Sequence, residues 1–390
     1  MKKIKNSSMF LLWVGAAISI TEIYTGGIIA PLGVTKGLLA IIIGHIIGTA
    51  FLAIGGYISF RDNKNAMDKV RDSMGSIGAK IIALLNILQL IGWSAIMIIQ
   101  GGRALNSVIP GLSFNFSLLL MALAVFIWAY SFNNYSKLVN DISVVVLIIV
   151  CILMFFKVQG SAPAAINGTM SFTTAIELAI AMPVSWLPLI GDYAKDGESK
   201  EGVVIWSFLG YFLGSVLMYT LGLLITVKTG KDVIVFIAGT GLSAAAALVI
   251  VLSTVTTTFL DIFSAVISSK QIIKIKNENN YIILYSIIAT VIAFIFPIEN
   301  YQNFLLTIGS IFVPVYIIVF SEYALKGNWN NKSLNIVGLM AAVLGTLIYN
   351  YFNKVSFGIP TVFVFVILLI LYYLPKKLIK NINLVKKEEC

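Results

Sequence analysis

The sequence predicts an all-α polytopic membrane protein with twelve transmembrane helices. Three observations predict it. Of the 390 residues, 59% are hydrophobic and 11% charged, with a mean hydropathy of +0.95. That composition lies outside the range of soluble globular domains. Second, twelve apolar segments fill the chain, most of them near the roughly 20 residues that cross a bilayer. They are 9–33, 37–59, 78–102, 114–132, 138–157, 172–191, 203–227, 240–268, 280–298, 301–324, 333–352 and 358–375. Third, Lys and Arg alternate in density between successive connections. With both termini cytoplasmic, 21 of the 27 fall on the cytoplasmic side, leaving Lys36, Arg103, Lys157, Lys228, Lys231 and Lys354 outside. A missed span would scramble this bias, so it also supports the count.

The composition excludes several classes. The net charge of +10 does not imply nucleic acid, because the basic residues sit in short connections beside spans. The basic start followed by an apolar run mimics a signal peptide. Glu22 interrupts that run and many spans follow, so it reads as a first, uncleaved helix. The two cysteines, Cys151 within a span and Cys390, do not suggest a disulfide, and no His/Cys cluster suggests a metal centre. No enzyme cofactor and no obligate protein partner are expected. A membrane-embedded enzyme would show paired acidic motifs or a nucleophile with its base, whereas the acidic residues here are isolated.

Segment one carries the main signal. In MFLLWVGAAISITEIYTGGIIAPLG, Thr21, Glu22, Thr25 and Gly26-Gly27 lie at mid-depth. A carboxylate there is costly unless it faces a cavity or a partner. Adjacent glycines loosen a helix. The expectation is a helix broken at Thr21–Gly27, with orphan backbone groups beside a polar site at the membrane midplane. The alternative is a kinked helix whose Glu22 is satisfied by a neighbour. Segment two contains the single histidine, His45, read as a packing residue. The connection from Arg61 to Gly75 is long and hydrophilic enough for a short surface helix.

In segment three, Asn86, Gln89, Trp93 and Gln100 share a helical face, with Trp93 deep in the span. Segment six, FTTAIELAIAMPVSWLPLIGDYAKD, is interrupted by Pro183, with Ser185 and Trp186 at the break. Interrupted helices at corresponding places in two halves point to an inverted repeat. The repeats would be about 9–157 and 172–325, with two extra helices at about 333–375, in one transmembrane domain spanning 1–390. In segment eight, Ser253, Thr257, Asp261, Ser264 and Ser268 recur on one face, with Thr256 beside them. Such a face supplies oxygen ligands for a small hard cation. Equally, the hydroxyls bond back to their own helix or join helices together. Two deep indoles with amides and carboxylates suit a flat, polar heteroaromatic ring.

Four stretches carry a resemblance: SWLPLIGDYAK at 185–195, STVTTTFLDIFSA at 253–265, QLIGW at 89–93 and TIGSIFVPVY at 307–316. Together they resemble the nucleobase:cation symporter-1 family of cytosine, purine, allantoin and hydantoin permeases. TEIYTGG and MPVSWLPLIGDY look most like its CytX group of hydroxymethylpyrimidine transporters, linked to thiamine precursor uptake. The resemblance implies a LeuT-type five-plus-five inverted repeat with helices 1 and 6 broken, in the cell membrane. It implies substrate contacts at Glu22, Gln89, Trp93, Ser185, Trp186 and Asp261, the two indoles sandwiching the ring. Asp261 stands where the family commonly has Asn. A sodium site is implied at Ile18, Thr21, Ser253, Thr256 and Thr257. Val255 stands where some relatives have a hydroxyl ligand, so H+ coupling through Glu22 or Asp261 remains the other expectation. Segment ten resembles the thin outer gate, with Gly309 and Pro314 allowing it to bend. The implied cargo is a pyrimidine, with cytosine or another nucleobase as alternative, and an amino acid for a carrier of the same fold.

Overall fold

Hydrophobic segments of this length have one way to satisfy their backbone in lipid, and the structure is helical nearly throughout. The computed structural model describes residues 3–109, 111–159, 168–239 and 243–388. Within these, the side chains of 132–141, 143, 147, 237–238, 243–250 and 383–388 lie outside the described set. The helices are α1 (Asn6–Ala17), α2 (Ile20–Ile28), α3 (Gly33–Asp62), α4 (Ala66–Val108), α5 (Phe114–Gln159), α6 (Phe172–Val184), α7 (Leu187–Ala194) and α8 (Ser207–Thr229). There follow α9 (Val233–Ala238), α10 (Ser243–Ser269), α11 (Glu278–Ile295), α12 (Tyr301–Ala324), α13 (Ile336–Lys354), α14 (Pro360–Leu368) and α15 (Leu374–Glu388).

Among the described residues, ten helical stretches are long and apolar enough to span a membrane, and the pair α1–α2, bent by 55°, makes an eleventh. Val144–Gln159 is a shorter apolar stretch of α5. Twelve spans are therefore consistent with the fold. The connection expected near Lys137, between segments four and five, lies outside the residues whose side chains are described.

The first break falls earlier than expected. Ile18 (φ −83°, ψ 88°) and Ser19 (φ −139°, ψ 156°) leave the helix, and Thr21–Gly27 is helical. Ser19 explains the position: its Oγ accepts the Glu22 N–H at 3.2 Å, so it caps α2 in place of continuing α1. The glycines serve packing. A Cβ on Gly26 would sit 2.0 Å from the Tyr219 carbonyl oxygen, and one on Gly222 would sit 1.8 Å from that of Ile23. Small residues here let α2 and α8 meet backbone to backbone. The second break lies where expected, at Ser185–Trp186. Both residues keep right-handed helical angles, so α6 and α7 stay nearly continuous.

The stretch 61–75 also differs from expectation. Ala66–Met74 is helical, and Gly75 (φ 79°) turns the chain into the long remainder of α4. Yet Ala66, Met67, Val70 and Met74 are buried, so this turn docks beneath the bundle and does not lie on its surface.

α3 packs along α6 and α8, α8 along α1 and α2, and α10 along α4 and α5. The α6–α7 span is 94% buried, against 22% for α13 and 17% for Pro360–Ile382. The interrupted helix is thus the hub, and the last two spans form a lipid-facing flank. The connections sort into two sets. Ile4 pairs with Gly197, the Ala66 N–H donates to Asp192, and Gln271 donates to Asp68, all on one face. On the other, Lys228 donates to Gln159, and the Arg103 guanidinium lies over Tyr24. These sets agree with the alternation read from Lys and Arg.

Candidate functional site

Glu22 sits in the first turn of α2, where the helix N-terminus favours a carboxylate. It is 2% exposed. Tyr211 OH donates to Oε1 at 2.7 Å, and Ser215 Oγ lies 2.5 Å from Oε2. Behind these stand two more groups. Trp186 Nε1 donates to Tyr211 OH at 3.0 Å, and His45 Nε2 lies 2.5 Å from Ser215 Oγ. His45 therefore does more than pack; α3, α8 and α2 meet through it.

Counting hydrogens along this chain is informative. His45 Nδ1 lies 2.8 Å from the Ile41 carbonyl, which only accepts, so Nδ1 carries a hydrogen. The single Ser215 hydroxyl hydrogen serves one of its two contacts, to Nε2 or to Oε2. The other contact needs a further proton, carried by His45 or by Glu22. The geometry thus holds one shared proton, and imidazole and carboxyl together are neutral. Among the described residues, Tyr211, Tyr219 and Tyr301 are the titratable groups beside Glu22.

Asp261 contrasts with Glu22. It is 3% exposed and accepts no hydrogen bond from the described residues. Its level is set by the antiparallel contact of α4 with α10. Asn86 Nδ2 donates to Ser268 Oγ at 2.8 Å, and a Cβ on Gly101 would sit 3.1 Å from Thr254 Oγ1. Asp261 is midway between Thr254 and Ser268, which brings it level with Trp93, midway between Asn86 and Gly101.

Gln89 joins α4 to the second break: Nε2 donates to the Ser185 carbonyl at 3.0 Å and to Asn86 Oδ1 at 2.8 Å. Its Oε1 is buried without a partner, as is Trp93 Nε1. Ser185 Oγ donates to the Met182 carbonyl at 2.6 Å, which also accepts the Ser185 N–H at 3.2 Å, a tightened turn at the break. The two indoles belong to separate aromatic groups. Trp186 meets Trp13 and Tyr211 edge-on, with centroids 6.0 and 6.3 Å away. Trp93 meets Tyr301 and Phe304 at 6.0 and 5.4 Å. Tyr301 and Phe304 open α12, and Tyr301 OH bonds Thr25 Oγ1 at 2.7 Å. The start of α12 therefore lies over Trp93 and fastens to α2.

The expected cation ligands are mixed. Ile18 is at the α1 break, and α10 packs against both α1 and α2. Thr257 Oγ1 is buried without a partner. Thr256 Oγ1 donates within its own helix, to Leu252 and Ser253 carbonyls, and Thr21 Oγ1 is directed at Met97 Sδ. Ser253 is buried.

Sequence reasoning missed Tyr211 and Ser215, and undervalued His45. A signal existed. Tyr211, Ser215 and Tyr219 recur every four residues, a polar stripe on an otherwise apolar helix. Tyr301 and Phe304 gave no comparable sign among 24 Phe and 16 Tyr.

Three comparisons bear on this arrangement. The family model described as permease for cytosine/purines, uracil, thiamine, allantoin matches residues 2–374. A Bacillus subtilis (strain 168) protein, YxlA, named as a purine-cytosine permease, is 24% identical over 234 residues. That match covers 57% of this chain and spans about half (51%) of the relative's length. Among solved structures, Mhp1 in a closed conformation with bromovinylhydantoin bound is described as a nucleobase-cation-symport-1 family transporter. It superposes with a TM-score of 0.77 at 14% identity, covering 96% of this chain and 92% of that one. Inward-facing Mhp1 gives 0.78 at 15%, covering 97% and 92%. These likenesses show the fold, the LeuT-type arrangement expected from the sequence.

Proposed function

The chain belongs to the family of permeases for cytosine/purines, uracil, thiamine and allantoin, and from that premise we propose that it imports a pyrimidine-type ring by alternating access, coupled to a cation. The observation that carries the reading is Asp261, a buried carboxylate at the level of Trp93 that accepts no hydrogen bond from the described residues. A buried charge without a partner is costly unless a ligand completes it. Gln89 Oε1 adds a second unmet acceptor and Trp93 Nε1 one unmet donor. Two acceptors to one donor favour a ring that presents an amine. Hydroxymethylpyrimidine and cytosine do so; uracil and hydantoin present more acceptors. Hydroxymethylpyrimidine is the proposed substrate and cytosine its alternative.

In this mechanism the ring enters between Trp93 and Trp186. Its amine donates to Asp261, and Gln89 and Ser185 border its edge. The first turn of α12, with Tyr301 and Phe304, closes over it. Two repeats, about 9–157 and 172–325, then rock to release it, in a cell membrane with both termini cytoplasmic. The shared proton among Glu22, Ser215 and His45 supports H+ as the coupling ion. The unpartnered Thr257 hydroxyl, on the helix that packs against α1 and α2, supports Na+ as the second reading, with Ile18, Thr21, Ser253 and Thr256 in the remaining ligand positions. An amino-acid carrier of the same fold is disfavoured, because Asp261, at the level of Trp93, would repel a substrate carboxylate.

The test is uptake of labelled hydroxymethylpyrimidine into cells lacking their own carriers. Competitors are cytosine, uracil and hydantoin, with sodium and external pH varied separately. Saturable uptake, blocked by unlabelled substrate and driven by inward acid pH without sodium, is expected. Cytosine transported in its place would replace the substrate and keep the family. Transport of amino acids alone would overturn the pyrimidine reading.

A further inference from the structure

Two cavities adjoin on the face that carries most of the Lys and Arg, and their charges are managed differently. The first, about 530 Å³, is lined by Arg61, Lys64, Lys69 and Lys326 together with Asp62 and Asp72. There two of the four cations are matched by two carboxylates. Lys64 pairs with Asp72 at 2.8 Å, and Lys69 pairs with both Asp62 and Asp72. The second, about 660 Å³, is lined by Lys3, Arg61, Lys195 and Lys200, with Asp196 and the Tyr57 ring. Lys195 is neutralised by Asp196 at 3.1 Å. Lys3, Arg61 and Lys200 form no ion pair among the described residues.

The three unmatched cations are held together and not merely adjacent in sequence. Arg61 Nη1 donates to Tyr57 OH at 3.2 Å, and Lys200 Nζ stands 5.3 Å from the centre of the same ring. Lys3 is brought in because Ile4 pairs with the loop after α7, its N–H donating to the Asp196 carbonyl at 2.7 Å and its carbonyl accepting from Glu198 at 2.9 Å. Converging like charges repel. The neighbouring cavity sets two carboxylates against four cations, whereas this one sets a single carboxylate against four and leaves three of them open. A concave site with an Arg fork and two ammonium groups suits a ligand with several anionic oxygens. Basic pockets between spans at this level are suited to anionic headgroups.

We propose that this cavity binds a phosphate-bearing anion, supplied by a lipid headgroup or by free phosphate in solution. The bound anion ties together the segment before α1, the end of α3 and the loop after α7. The proposal does not depend on what the protein transports.

The test uses the purified full-length chain in two arms. In one, native mass spectrometry counts lipids retained from nanodiscs of phosphatidylglycerol or of phosphatidylcholine. In the other, thermal unfolding is followed against inorganic phosphate and against chloride at equal ionic strength. The variant is R61Q/K200Q. Both residues are exposed, so folding is preserved. K231Q/K354Q, on the other face, controls for net charge. The expected result is retention of phosphatidylglycerol, or stabilisation by phosphate, that falls about tenfold or more in R61Q/K200Q and is unchanged in the control. A response to lipid alone identifies a headgroup site, and a response to phosphate alone a soluble anion; each supports the proposal. Equal responses in wild type and R61Q/K200Q, or none in wild type, overturn it.

Discussion

Glu22 and Asp261 are both carboxylates at mid-membrane, both nearly fully buried, and their surroundings are opposite. Glu22 hydrogen-bonds the hydroxyls of Tyr211 and Ser215 and reaches His45 through the second. Asp261 accepts nothing from the described residues. Burial alone therefore does not identify a binding residue. A buried charge that the protein satisfies belongs to the fold or to proton handling. A buried charge left unsatisfied is destabilising until something binds, and that deficit becomes affinity when the right donor arrives.

The largest effects follow from this contrast, and they have opposite signs in two measurements. In the proposed role, Asp261→Ala removes a charged hydrogen bond to substrate, worth about 1.5–3 kcal/mol, or roughly ten- to over a hundredfold in affinity. Its thermal stability in detergent should be equal to or above wild type, because an unpaired buried group is gone. Glu22→Ala leaves the buried Tyr211 hydroxyl without its acceptor and breaks the link from Ser215 to α2, a loss of about 1–3 kcal/mol per unsatisfied group. Its thermal stability should fall by several degrees. Substrate titration and thermal unfolding of both purified variants read this directly. A large stability loss in Asp261→Ala with unchanged substrate affinity would reverse the two roles.

How much of this was legible in the sequence depends on how local the physics is. The spans follow from hydropathy, and the second break from Pro183, both read within one segment. The first break was misplaced because Gly26-Gly27 has two physical uses. Loosening a helix is a local property, whereas admitting the Tyr219 backbone is not, and here the second operates. The same holds at His45, whose partner Ser215 is 170 residues away. Trp93, Trp186, Gln89 and Asp261 were singled out by residue type and depth. That Asp261 lacks a hydrogen bond from the described residues, while Glu22 has two, becomes visible only once α8 and α10 are placed.

A smaller effect sharpens the unsatisfied side. Gln89 spends its amide hydrogens on Asn86 and Ser185, leaving Oε1 alone to meet a ligand. Gln89→Glu keeps an acceptor but loses both donations, whereas Gln89→Ala loses acceptor and donors alike. With a neutral hydrogen bond worth about 1 kcal/mol, Gln89→Ala should weaken substrate binding by roughly five- to tenfold. The loss should be greater for amine-bearing rings than for dioxo rings in competition assays. Equal losses across both ring types would assign Gln89 to the support of the Ser185 break and not to substrate.

The smallest effect lies at Thr257, whose hydroxyl is buried and unpartnered like Asp261 but carries no charge. Valine has nearly the same shape. Removing a buried polar atom without a partner is neutral or slightly stabilising for the protein, by about 1 kcal/mol at most. If the hydroxyl awaits sodium as Asp261 awaits an amine, Thr257→Val should raise the sodium concentration for half-maximal uptake several-fold and leave substrate competition in saturating sodium unchanged. With H+ as the coupling ion, the variant should match wild type at every sodium concentration while uptake still follows external pH. The measurement thus separates two kinds of unmet group in one helix: a carboxylate that needs its ligand to offset a charge, and a hydroxyl that the fold tolerates empty.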